Sequence, residues 1–264
     1  MSDVVKYDSH LEDERKTKIC APSRLLLALE GRALLELASL PFAMPWLRRR
    51  APLGDGHAVL VIPGFLANDR STIPLRRFLG RLGYDVSGWE QGWNCGPREG
   101  VMEQLQRQLE ALHERSGGKV SLVGWSLGGI YAREIARLRP ECVRQVITLG
   151  SPLYGKPATS TNVWRIYTRV VGAHKDALIR GENAPPVPTT SIYSRGDGIV
   201  GWKGSVERCG QQTENVEVNC SSHLGLGVNA AAWYVLADRL AQLEGDWQPF
   251  ASGRLRRLLY SCAG

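Results

Sequence analysis

Gly124-Trp125-Ser126-Leu127-Gly128-Gly129 lies between two segments of different periodicity, and few folds accommodate such a junction. Before it, Val120-Ser121-Leu122-Val123 reads as a short buried strand. After it, Ile130, Ala132, Ile135, Ala136 and Leu138 recur at helical spacing over 130–139. A serine between small residues at a strand-to-helix turn, in the form Gly-x-Ser-x-Gly, is a nucleophile elbow. Gly124 and Gly128 let the chain turn sharply, hold Ser126 in a strained conformation and keep side chains away from an approaching substrate. The hydroxyl then projects at the carboxyl edge of a sheet, and the next amide opens a helix. The bland alternative is a glycine-rich turn with an incidental serine; the flanking strand, the helix and the extra Gly129 weigh against it.

Three other segments extend the pattern. Upstream, His57-Ala58-Val59-Leu60-Val61-Ile62 is an apolar strand ending in Pro63-Gly64-Phe65-Leu66. Downstream, the β-rich run at 188–193 is closed by Ser194-Arg195-Gly196-Asp197-Gly198-Ile199-Val200. Later, Val216-Glu217-Val218 alternates like a final strand and leads into Asn219-Cys220-Ser221-Ser222-His223-Leu224-Gly225, before a last helix over 230–243. On these residues the chain resembles the lipase/esterase branch of the α/β-hydrolases, over about residues 57–247. The resemblance implies a mostly parallel central sheet flanked by helices, with a small helical cap. It also implies a triad in the order Ser126, Asp197, His223. Carried over in the same way, the oxyanion donors are the backbone amides of Phe65 and Leu127. Pro-Gly-Phe stands here where many lipases have His-Gly, a departure that bears on Phe65 and not on Leu127.

The chemistry explains why such residues belong together. A serine hydroxyl is a poor nucleophile until an imidazole takes its proton, so Ser126 needs His223 in reach. Asp197 would hold the correct tautomer and stabilise the imidazolium. Among the other histidines, His10 reads as solvated, His57 as structural and His113 as surface, while His174 falls in the presumed cap. Asp176 and Asp238 are the alternative acids, but neither follows a strand. No His-x-x-x-His or Cys-x-x-Cys spacing suggests a metal, and no cofactor is expected.

The 264 residues suffice for one sizeable core, and 43% hydrophobic with 22% charged residues exclude wholesale disorder. The expected organisation is an N-terminal extension over 1–53 with a leucine-rich helix, a hydrolase domain over 54–250 with a cap at about 154–186, and a basic tail over 251–264. Within the cap, Trp164, Ile166, Tyr167, Val170 and Val171 fit an amphipathic helix. Phe65, Leu66, Trp125, Tyr154 and Trp164 are expected to line an apolar acyl pocket; ordinary core is the alternative for several of them. Remaining elements are helices at 72–82 and 102–115 and strands at 84–86 and 145–149.

The net charge of +7 is dispersed, densest at Arg48-Arg49-Arg50 and at Arg254, Arg256 and Arg257. No recognition motif accompanies the arginines, so nucleic acid is not an expected partner. Residues 1–18 are polar and lack the order of a signal peptide. The leucine-rich segment that follows is interrupted by Glu30, Arg32 and Glu36, which disfavours a membrane span, and Pro41 and Pro45 are expected to end it. Two readings stay open: a helix packed on the hydrolase body, or an amphipathic anchor on an anionic membrane. The location expected is cytoplasmic, with peripheral membrane contact in the second reading. The six scattered cysteines read as free thiols, with a Cys209–Cys220 disulfide as the alternative. The function implied by the resemblance is hydrolysis of a lipid-like or short-acyl carboxylic ester. Thioesterase, amidase and acyltransferase chemistry, or a non-catalytic binding role, are the rivals.

Overall fold

The structure is a computed structural model, and it describes residues 19–172, 183–251 and 259–263. Seven strands form one sheet in the order β2-β1-β3-β4-β5-β6-β7. They are Ala58–Ile62, Asp85–Ser87, Val120–Trp125, Val143–Leu149, Thr189–Tyr193, Thr213–Val218 and Tyr260–Ala263, numbered in chain order. The first six pair in parallel and the last is antiparallel. The helices are α1 Arg24–Ala28, α2 Ala33–Arg50, α3 Asp69–Arg81, α4 Val101–Ser116, α5 Leu127–Leu138, α6 Pro157–Ser160, α7 Trp164–Val171, α8 His223–Leu226 and α9 Ala230–Leu240.

Strand periodicity sorts the core onto two faces. Val59 and Val61 of β1 point into a cluster with Leu75, Phe78 and Leu79 of α3 and Trp233 and Leu236 of α9. Their neighbours Ala58, Leu60 and Ile62 face Leu105, Leu109 and Leu112 of α4 and Ile130 and Ile135 of α5. Parallel strands covered on both faces read as continuous apolar runs, as β1 does. The carboxyl ends of these strands share one edge, where the loops after β1, β3, β5 and β6 converge.

One expectation needs correction. Helix α2 runs through Pro41 and Pro45 to Arg50 rather than ending at them. The prolines are four residues apart and both exposed, so the backbone bonds they forfeit lie on one solvent-facing side. Inward, Leu40 and Leu47 are buried, and Trp46 lies 5.4 Å from Tyr234 of α9 between ring centroids. Within the segment read as a basic tail, β7 extends the sheet beyond β6. Tyr260 anchors it: its ring packs 5.3 Å from Phe250 and its hydroxyl donates to the Ala231 carbonyl at 3.1 Å. Cys209 and Cys220 are free thiols. His10, His174, Asp176, Arg254, Arg256 and Arg257 lie outside the described residues.

Candidate active site

Ser126 sits between β3 and α5 with φ +52°, in a region of backbone space that side chains rarely adopt. Its surroundings explain how the strain is held. The Ser126 amide donates to the Leu149 carbonyl of β4 at 2.8 Å. A methyl group at Gly128 would run into the carbonyls of Ile62 and Pro63, and one at Gly64 would meet Ser126 Cβ at 3.2 Å. The loop after β1 is therefore pressed directly against the serine.

His223 opens the short helix α8, whose cap is Ser222, accepting the Gly225 amide. Its Nε2 lies 2.9 Å from Ser126 Oγ, and its Nδ1 lies 2.6 Å from Asp197 Oδ2. A carboxylate only accepts, so Nδ1 carries the proton and Nε2 is left to accept from the serine hydroxyl. Asp197 Oδ1 accepts the Ile199 and Val200 amides at 2.8 and 2.7 Å, which fixes the carboxylate plane. Both side chains are buried. Burial alone would push the imidazole down; the charge and hydrogen bond of Asp197, with the charge of Glu30, outweigh it and raise the pKa above its ordinary value.

Among the described residues, neither the Phe65 nor the Leu127 amide has a hydrogen-bond partner. Leu127 is the first residue of α5, where amides are left over by helix geometry. The Phe65 loop is braced by Asn94, a fully buried residue that the sequence reading did not single out. Asn94 Nδ2 donates to the Pro63 carbonyl at 2.8 Å, its carbonyl accepts the Leu66 amide at 2.8 Å, and its amide donates to the Ala67 carbonyl.

The residues expected in the pocket separate into two groups. The Phe65 ring packs 5.2 Å from Tyr167, which stacks on Trp164 at 5.6 Å, and half-exposed Leu66 sits beside Phe65. Trp125 instead donates its indole N–H to the His223 carbonyl at 3.2 Å and packs against the core. Tyr154 gives its hydroxyl to Glu207 and receives a bond from Arg133. His57 is tied to Asp55 and Ser121 at the opposite end of the sheet, and His113 bonds the Gly118 carbonyl at 2.9 Å. Asp238 pairs with Arg239. Sequence reading also missed Glu30 and Glu36, seen there only as breaks in a leucine run.

Residues 99–213, which hold the elbow and Asp197, match the family model of the PGAP1-like alpha/beta domain. Serine hydrolase BPHL of Mus musculus is 24% identical over 148 residues, 53% of this chain and 50% of that protein. The chain thus spans about half the length of the curated relative it matches. Among solved structures, Aspergillus fumigatus lipase B superposes with a TM-score of 0.53 at 19% identity, over 74% of this chain and 56% of that one. A monoacylglycerol lipase of Paleococcus ferrophilus gives 0.50 at 15% identity, over 70% and 96%. At these identities the structural likeness is one of fold.

Proposed function

We propose that this chain, a member of the α/β-hydrolase superfamily, is a serine hydrolase that cleaves carboxylic esters through an acyl-enzyme on Ser126. The observation that carries this reading is the line Ser126 Oγ, His223 Nε2, His223 Nδ1, Asp197 Oδ2, with contacts of 2.9 and 2.6 Å beside two unpartnered amides.

In the proposed reaction His223 Nε2 takes the hydroxyl proton as Ser126 Oγ bonds to the ester carbonyl carbon. The carbonyl electron pair moves onto oxygen, where the Phe65 and Leu127 amides receive it; one such donor is worth about 2.7–4 kcal/mol. Collapse breaks the bond to the leaving alkoxide, which takes the proton from His223. Water, deprotonated by the same nitrogen, then attacks the acyl carbon, and the carboxylic acid leaves as Ser126 regains its proton. No step calls for a cofactor. Leu66 and Trp164, with Phe65 and Tyr167, suit an apolar wall for the acyl group, while Trp125 and Tyr154 serve it through the loops they hold. The outward apolar face of α2 and its terminal arginines favour peripheral contact with an anionic membrane, where lipid-like esters are met. Free thiols at Cys95, Cys142, Cys209 and Cys220 suit a reducing, cytoplasmic compartment.

The test is a fluorophosphonate probe together with p-nitrophenyl esters and thioesters of graded acyl length, wild type beside Ser126→Ala. Labelling and hydrolysis should both vanish in the variant. Faster thioester turnover would make the chain a thioesterase, and a folded wild type that takes neither probe nor ester would be a binding protein.

A further inference from the structure

Two carboxylates from the N-terminal segment end on the loops that carry Asp197 and His223. Glu30 lies in a 3-10 turn, Leu29–Arg32, between α1 and α2, and is buried. Its Oε1 accepts the Gly198 amide at 2.7 Å and the His223 amide at 2.9 Å, and its Oε2 accepts the Leu224 amide at 2.9 Å. Glu36 takes the Ser222 amide at 2.9 Å, the Ser222 and Ser221 hydroxyls at 2.7 Å, and Asn229 Nδ2 at 2.8 Å. Between them Arg32 Nη2 donates to the carbonyls of Gly196 and Ser221 at 2.5 and 3.1 Å. The fit is close: a methyl at Gly198 would strike the Leu26 carbonyl, and one at Gly225 the Glu36 carboxylate.

A buried carboxylate is tolerated only when other donors replace its water. Three backbone amides do this for Glu30, two of them at the start of α8, where negative charge is favoured. Asp197 and His223 sit on loops that follow the paired strands β5 and β6, and beyond those strand ends the loops must be held by other contacts. Glu30 Oε1 is shared by one amide from each loop, so a single carboxylate oxygen ties the two together beside Arg32.

We propose that Glu30 is a positioning residue for the Asp197–His223 pair: it joins the two loops through one carboxylate and stabilises the imidazolium formed during acyl transfer. This rests on the reading of Ser126 as nucleophile. The charged groups around His223 are Asp197 at its Nδ1, Glu30 at its amide, Glu36 at the preceding residue and Arg32 on the neighbouring carbonyls. Arg195, on the acid loop, is engaged with Glu217 at 3.2 Å. Of these, the charges of Asp197 and Glu30 raise the imidazole pKa against the opposing effect of burial.

Glu30→Gln keeps an oxygen for Gly198 and His223 but removes the charge and turns an N–H toward the Leu224 amide. With a p-nitrophenyl ester, kcat should fall about tenfold or more at nearly unchanged KM, the size expected for losing charge-assisted hydrogen bonds. The acid limb of the kcat/KM profile should move to lower pH, because the imidazole loses a stabilising charge. Glu36→Gln, whose partners are Ser221, Ser222 and Asn229, should lose stability and leave that limb in place. Wild-type kcat in folded Glu30→Gln would overturn the proposal, and so would a fall in kcat with the limb unmoved, which is all that a scaffold role can give. Should Glu30→Gln not fold, Glu30→Asp draws the carboxylate back from the three amides, and wild-type kcat there overturns it equally. Ser126→Ala separates the two levels: activity retained in that variant removes the nucleophile reading itself, whereas an inactive Ser126→Ala beside a wild-type Glu30→Gln removes only the role of Glu30.

Discussion

In the proposed reaction the imidazole of His223 has two opposed requirements: it must be neutral to accept the serine proton, yet readily hold the charge once it has done so. Burial serves the first and Asp197 the second, and the net effect is a pKa above the ordinary 6.5. The active form is the neutral ring, so activity appears as pH rises through that raised value. The kcat/KM profile should therefore have its ascending limb centred above pH 6.5, and a limb centred below it would contradict the buried Asp197 contact. Asp197→Asn tests the same pair in another way. The new side chain can keep its oxygen on the Ile199 and Val200 amides, which leaves its NH2 facing Nδ1. Nδ1 must then accept, the ring proton moves to Nε2, and the serine proton has nowhere to go. A folded variant with kcat lower by about 10³–10⁴ is expected, by analogy with acid-to-amide changes in other serine triads. Circular dichroism should show it native.

At the scale of elements, the helix that begins at the elbow is tied to the approach to β6 by an ion pair. Arg133 of α5 and Glu207 are both wholly buried, with Nε and Oε2 2.9 Å apart, and the Tyr154 hydroxyl adds a bond to the same carboxylate. Neither charge can reach water, so Glu207→Gln strands a guanidinium in the core. A loss of about 3–5 kcal/mol is expected, seen as a lower urea midpoint with an unchanged slope. That pair joins residues far apart in the chain, and this is also the line between what was legible and what was not. The elbow, the Asp197 turn and the His223 loop each carry a short local signature, and the strands of a doubly covered sheet announce themselves as apolar runs. Glu30 and Glu36 do not, because their partners lie 168 to 194 residues away and a glutamate in a leucine-rich helix looks the same whether it faces water or a buried amide. Strand β7 escaped for a similar reason: Tyr260 is what seats it, and its pocket between Phe250 and α9 exists only after folding.

For the molecule as a whole, α2 poses a problem of surface. At about 100° per residue, Leu40, Met44 and Leu47 fall on one side, packed on the core. Leu35 and Phe42 fall on the opposite side and Leu34 on the flank between; the three are 73%, 86% and 72% exposed. A helix apolar on both faces is not at rest in water. The outward face is followed by Arg48, Arg49 and Arg50, all three exposed, which suits an interfacial anchor on anionic lipid. The described helices include none long and apolar enough to cross a membrane. The inward side of the same segment holds the loops of Asp197 and His223 through Glu30 and Glu36, so lipid bound outside would lie one helix away from the proposed site. The full chain should float with vesicles containing phosphatidylserine and not with phosphatidylcholine alone. Changing Leu34, Leu35 and Phe42 to Gln should abolish flotation while leaving the melting temperature nearly unchanged, since none of the three is buried. Changing the three arginines to Gln should weaken binding on the order of a hundredfold, at about 1 kcal/mol for each basic residue near an anionic surface. Flotation untouched by the apolar substitutions would mean that this face meets something other than lipid.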